Sequence, residues 1–136
     1  MANPRAFISF DFDHNEGQKK YFIGQAINSR TPFNIEDWSS KDSLPEWEWE
    51  ALLEAKIKKC NMVIVLVGKN MGTASGVIKE IAFAKKHDIP FFGVYVDDAS
   101  TYSILPSGLA RNRTIGWDWN DISEAITQMM NEGKNK

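Results

Sequence analysis

Gly68-Lys-Asn-Met-Gly-Thr-Ala-Ser-Gly-Val-Ile-Lys-Glu80-Ile directly follows Cys60-Asn-Met-Val-Ile-Val-Leu-Val67, and the junction between the two decides the fold. The first run is polar and broken by glycine, then turns helical from Ser75. The second is apolar throughout, as expected of a parallel strand covered on both faces. A buried strand, a Gly-punctuated loop and a helix are the elements of an open α/β fold, and ligands in such folds bind beyond the carboxyl ends of the strands. The start of the helix offers unpaired N–H groups to an anion. Glu80 places one carboxylate just inside that helix.

Outward from this junction, strand and helix patterns alternate. Ala6–Phe10 is a short β-rich run, and Phe22, Ile23, Ala26 and Ile27 have helical spacing over residues 16–29. Phe33–Ile35 is a short second strand, and residues 36–45 have loop composition. Ser43 and Glu46 are spaced as a capping box, with Pro45 in the first turn of a helix whose face is Trp49, Leu52, Leu53 and Ile57. Met62–Val67 is the third strand. The helix from Ser75 to His87 is expected to turn Val77, Ile78, Ile81, Ala82 and Ala84 inward, with Glu80 at the border of that face. Pro90–Val96 is the fourth strand, Asp97–Asn112 a long loop and Arg113–Trp117 the fifth strand. Ile122, Ala125, Ile126, Met129 and Met130 mark the last helix, and the tail from Gly133 frays. Strands alternating with helices imply right-handed crossovers and a parallel sheet. The economical architecture is flavodoxin-like, a three-layer fold with strand order 2-1-3-4-5 and its switch point between strands 1 and 3. That order brings Phe10–Asn15 and Gly68–Glu80 to the two sides of one crevice.

The chain has 136 residues, 43% apolar and 25% charged, and is expected to form a single domain over residues 1–136. A net charge of −2 without a long basic run argues against duplex nucleic acid as a partner. No apolar stretch approaches the roughly 18 residues that span a membrane, and Met-Ala-Asn-Pro-Arg is not a signal peptide. The lone Cys60 excludes an internal disulfide and fits a reducing cytoplasm; preceding an apolar strand, it is expected to be a buried thiol. No Walker loop, Rossmann glycine fingerprint or Cys/His zinc cluster is present.

Each residue near the crevice carries two readings. Glu80 is either a solvated helix-surface glutamate or a carboxylate facing a ligand. Ser75 is a plain N-cap or, with Thr73, a hydroxyl for a phosphate or ribose. Asp11 and Asp13 cap the turn after strand 1, or serve chemistry. An EF-hand loop fails there, since Glu16 stands where glycine is needed and Phe22 where glutamate is. A phosphoryl-accepting receiver would want an aspartate where Gly68 stands. A haloacid dehalogenase would want Thr or Val where Asn15 stands, although Asp97-Asp98 would match its later acidic pair. Trp38 and Ser39 follow the second strand, and Trp38 either packs or covers an aromatic ligand.

Taken together, these residues resemble a bacterial TIR-like domain, in particular the TIR-like NAD-consuming subunit of Thoeris antiphage defence. Phe7-Ile-Ser-Phe10 resembles the family's opening strand, Asn61–Gly68 its central strand and Pro90-Phe-Phe-Gly-Val the strand that follows. Thr73-x-Ser75-x-Val77-x-x-Glu80-Ile81 resembles the stretch bearing the catalytic glutamate. Gly76 departs from the pattern, where the family often has Trp.

The resemblance implies cleavage of the nicotinamide–ribose bond of NAD+ by Glu80, with NAD+ as substrate and no metal or cofactor. Phe10, Asp11, Phe12, Trp38, Ser39, Thr73 and Ser75 are then the expected substrate-binding residues. It also implies a cyclic ADP-ribose isomer that reaches a downstream effector by diffusion, and a homo-oligomer. Two other functions fit the same residues. One is a non-catalytic TIR-type interaction module using the Trp-rich second helix; the other is a deoxyribosyltransferase-like N-glycosidase.

Overall fold

A computed structural model describes residues 4–11, 17–23, 33–38, 45–69, 75–96, 99–100 and 103–133, with the backbone alone at 36–38. Five strands form one parallel sheet in the order β2-β1-β3-β4-β5, the expected flavodoxin-like order. They are β1 (Arg5–Ser9), β2 (Asn34–Trp38), β3 (Met62–Val67), β4 (Phe91–Tyr95) and β5 (Thr114–Ile115). The helices are α1, described over residues 17–23, then α2 (Glu46–Lys58), α3 (Ser75–Lys86) and α4 (Trp119–Glu132).

Every side chain of β3 is buried, because the strand is sandwiched between two helical layers. Its alternation sorts the core. Met62, Ile64 and Leu66 join Ala6, Ile8, Phe22, Ile122, Ile126 and Met129 on the α1/α4 side. Val63, Val65 and Val67 join Phe7, Leu53, Ile57, Val77, Ile81 and Ala84 on the α2/α3 side. The same period of two in β1 sends Phe7 towards α3 and Ile8 away from it. Ser9 is therefore directed towards α3.

Several boundaries differ from the sequence reading. Residues 36–38 are strand, not loop, because β2 extends along β1, with Ile8 opposite Trp38. The Ser43–Glu46 capping box does not describe the start of α2: Pro45 is the N-cap and no side chain caps it; Ser43 lies outside the described residues. β5 shrinks to Thr114–Ile115 because Arg111–Arg113 coil into a 3-10 turn. Leu52 is exposed rather than inward, and so is Ala82. Cys60 is buried as expected, its thiol directed to the Lys56 carbonyl at 3.5 Å. The rest of the 16–29 helix and the tail beyond Gly133 lie outside the described residues.

α4 shows how local chemistry fixes an element. Asp118 caps it by accepting from the Asn120 and Asp121 amides at 2.9 and 3.2 Å, which satisfies two otherwise orphan donors. Its apolar positions then bury Ile122, Ile126 and Met129. Arg113 ties this helix to β4 by donating to Glu132 at 2.8 Å and to the Phe91 carbonyl at 3.2 Å.

Candidate functional site

The buried residues of α3 are Val77, Glu80, Ile81 and Ala84, spaced i, i+3, i+4, i+7. This is the inward stripe of an amphipathic helix, and Glu80 occupies one of its four positions. Only 1% of Glu80 is exposed, which replaces the expectation of a border position and overturns the solvated reading. The clue was in the sequence: the stripe set by Val77, Ile81 and Ala84 includes position 80, and a carboxylate on a core stripe needs a partner.

That partner includes Ser9. Its hydroxyl donates to Glu80 Oε1 at 2.6 Å, and both residues are buried. The length lies at the short end of the ordinary range for a hydroxyl donating to an oxygen. β1 and β3 pair with Ser9 opposite Val65, so the contact sits at the junction of the two central strands, where the strand order reverses. This is the switch point at which open α/β sheets bind ligands. Sequence reasoning quoted Ser9 within the opening strand without assigning it a role; its alternation with Phe7 was the available signal.

Asp11, two residues beyond Ser9, is also buried. Phe10 points into the opposite layer and is 2% exposed, with the Lys19 ammonium 5.5 Å from its ring centre. The ring thus belongs to the core, not to the wall of a crevice. Ser75 is exposed and is the first residue of α3, not the residue before it. Phe12, Ser39 and Thr73 lie outside the described residues, as does the Trp38 side chain, although the Trp38 backbone ends β2. A β-carbon at Gly76 meets nothing within 4 Å.

The helix bearing Glu80 is tied to α2 by ion pairs. Lys79 pairs with Glu46 and, at 2.6 Å, with Glu50. Glu54 receives Lys86 at 2.8 Å and His87 at 2.6 Å. Hydrogen bonds from Lys86 and then His87 hold the Glu54 carboxyl below its ordinary range. His87, just past the end of α3, is thus paired with Glu54.

Cavities open at the other edge of the sheet. One of about 530 Å³ is bordered by Lys85, Pro90, Phe91, Gly108, Arg113 and Glu132, beside the amino end of β4. A second, of about 230 Å³, lies between β5 and α4. Neither includes Glu80. Among the described residues no cluster of three or more His, Cys, Asp or Glu could hold a metal, and no helix is long and apolar enough to cross a membrane.

A doubly wound five-stranded parallel sheet with a buried carboxylate at its switch point is the framework of a TIR-like domain. The chain belongs to the family described as Thoeris protein ThsB, TIR-like domain, whose model matches residues 7–101. That match begins within β1 and includes the Ser9–Glu80 pair and β4.

Among solved structures, the chain is similar to a prokaryotic SEFIR domain, with 16% identity, a TM-score of 0.55 and coverage of 94% of this chain and 90% of that one. The interleukin-17 receptor B SEFIR domain gives 8% identity and a TM-score of 0.58, covering 98% and 99%. The TIR domains of the activated Roq1 resistosome, which directly recognizes the pathogen effector XopQ, give 16% identity and a TM-score of 0.50, covering 94% and 84%. At these identities the likeness concerns the fold. No curated protein matches the chain.

Proposed function

We propose that the protein cleaves the nicotinamide–ribose bond of NAD+, with Glu80 as the catalytic carboxylate. The observation that carries this reading is the burial of Glu80 at the switch point, oriented by Ser9 at 2.6 Å. Breaking the N-glycosidic bond develops oxocarbenium character on the ribose. A fixed carboxylate beside that carbon stabilises the growing positive charge, as in glycoside hydrolysis. Exclusion of water strengthens the interaction. Nicotinamide leaves as a neutral base, so the step needs neither a metal nor a cofactor.

Water attacking the ribose carbon gives ADP-ribose, nicotinamide and a proton. A hydroxyl of the same molecule attacking instead gives a cyclic ADP-ribose isomer, nicotinamide and a proton. The second outcome needs a site that keeps water away, and a carboxylate only 1% exposed is suited to it. For the same reason, the surface over Glu80 must part as NAD+ binds. Ser75, with Thr73, would hold the pyrophosphate at the start of α3. Asp11 and Ser39 would contact ribose hydroxyls, and Phe12 or Trp38 would stack on a ring. The cyclic product would act in the cytoplasm as a diffusible signal for an effector in antiphage defence.

Incubation with NAD+ followed by chromatography and mass spectrometry tests this. Nicotinamide with a partner product one water lighter than ADP-ribose supports cyclisation; ADP-ribose itself supports hydrolysis. Absence of both, in buffer and in lysate from phage-infected cells, contradicts the reading.

A second reading, a TIR-type interaction module, is favoured by α2, which leaves Trp47 72% and Leu52 48% exposed. Self-association that survives Glu80→Gln and is lost in Trp47→Ser would support it; a monomer at all concentrations would not.

A further inference from the structure

We infer that Ser9 is a positioning residue for the reaction, fixing the Glu80 carboxylate through the Oγ–Oε1 hydrogen bond. This inference rests on the NAD+-cleaving reading of Glu80.

Beyond Arg5 at the start of β1, the α3-facing side of the two central strands is apolar around Ser9: Phe7, Val63, Val65 and Val67 are all fully buried there. Serine is a poor occupant of such a row, since it fills little volume and brings a hydroxyl that must be satisfied. An alanine or valine would serve packing better. What the hydroxyl does have is Glu80, 2.6 Å away and 71 positions along the chain.

The anchor is rigid. β1 is paired to β2 as far as Ile8 and to β3 through Ser9 itself, opposite Val65, so the Ser9 backbone cannot shift without disturbing the β1–β3 ladder. A glutamate side chain has three rotatable bonds to be fixed. Seating one carboxylate oxygen on an O–H donor held by the central sheet fixes where that oxygen lies. It also favours the charged form that an oxocarbenium-like transition state requires. Misplacement of a catalytic group by about 1 Å can cost on the order of a hundredfold in rate.

The test is steady-state NAD+ cleavage by the full chain carrying Ser9→Ala, Ser9→Thr or Ser9→Cys. Ser9→Ala is expected to lower kcat by about 10- to 100-fold, the range for loss of a hydrogen bond to a charged group. KM should stay within about twofold, because the lost contact is to the enzyme's own carboxylate. The acid limb of the rate profile should move to higher pH, since a donor to the charged form has been removed. Ser9→Thr should recover most of the rate. If its extra methyl lowers Tm, Ser9→Cys, of similar shape and with a weaker donor, should fall between wild type and Ser9→Ala.

Unchanged kcat in Ser9→Ala overturns the inference. So does a rise in KM alone, which would make Ser9 a substrate contact, or equal losses in all three variants accompanied by equal losses of Tm. A carboxyl-selective 13C titration of Glu80 in wild type and Ser9→Ala, without substrate, separates this inference from the reading beneath it. An upward displacement in Ser9→Ala upholds the positioning even if wild type proves inert to NAD+, and identical titrations reject it even if wild type is active.

Discussion

Glu54 Oε1 of α2 lies 2.6 Å from His87 Nε2 at the end of α3, and the same oxygen receives Lys86 Nζ at 2.8 Å. Nearer the start of α3, Lys79 joins Glu46 and Glu50. The helix that carries Glu80 is thus tied to its neighbour at both ends by carboxylates of α2 and cations of α3.

This arrangement predicts a direction for pH dependence. Hydrogen bonds from Lys79 to Glu46, from Lys86 and His87 to Glu54, and from Arg113 to Glu132 hold all three carboxyls below their ordinary value of 4.5. A folded-state pKa below the unfolded one contributes stability in full above the unfolded value and loses it as pH falls through the folded value. Urea unfolding midpoints should therefore hold near neutrality and fall progressively once the pH drops below 4.5. Added salt should shrink the difference, because these pairs are partly exposed. A midpoint that rises on acidification contradicts this account of the α2–α3 contact.

Removing charge at the switch point should be better tolerated than removing the acceptor. In Glu80→Gln the amide oxygen can still accept from Ser9, and a buried charge is relieved. Its unfolding free energy should stay within about 1 kcal/mol of wild type. Glu80→Ala leaves the Ser9 hydroxyl unpaired in the core and should cost about 1–3 kcal/mol. Denaturant unfolding of the two variants checks the order.

Gly93 in β4 should not accept a side chain. An added β-carbon would lie 2.8 Å from Leu109 Cδ2 and 3.0 Å from Thr114 Cγ2 and Oγ1. Gly93→Ala should destabilise by about 1–3 kcal/mol through overpacking, visible as a lower Tm. A neutral substitution would show that the segment bearing Leu109 can give way.

Gly76 offers the opposite case. It lies in the first turn of α3 and a β-carbon there meets nothing within 4 Å. Gly76→Ala should stabilise by about 0.5–1 kcal/mol, the gain from replacing a helical glycine. Gly76→Trp, which restores the aromatic often present in TIR-like relatives, should fold and should not lower NAD+ cleavage. Loss of Tm in both variants would place an unseen constraint on that turn.

The strand order was legible because β3 is apolar at all six positions and punctuated by loop and helix, a pattern suited to a central parallel strand. Trp38 shows where local composition misled: Glu36-Asp-Trp38 reads as loop, yet pairing with β1 draws it into β2. Ser43 and Glu46 matched a capping motif that local spacing alone could not confirm, and Pro45 took that place. Glu80 was found by its position after the central strand, while its depth was missed by counting apolar residues alone around the helical wheel. Ser9 was legible only in part: its alternation with Phe7 aims it at α3 but does not name its partner. Its partner is 71 residues distant, and pairings across that separation are created by topology.

We propose Glu80 as the carboxylate that drives NAD+ cleavage. The most direct measurement is nicotinamide release from NAD+ by wild type and Glu80→Gln at matched folded concentration, in buffer and in lysate from phage-infected cells. The account predicts release by wild type in at least one setting and a loss of at least about a hundredfold in Glu80→Gln, as for removal of a group that stabilises transition-state charge. Equal release by both proteins, or none by wild type in either setting, would contradict it.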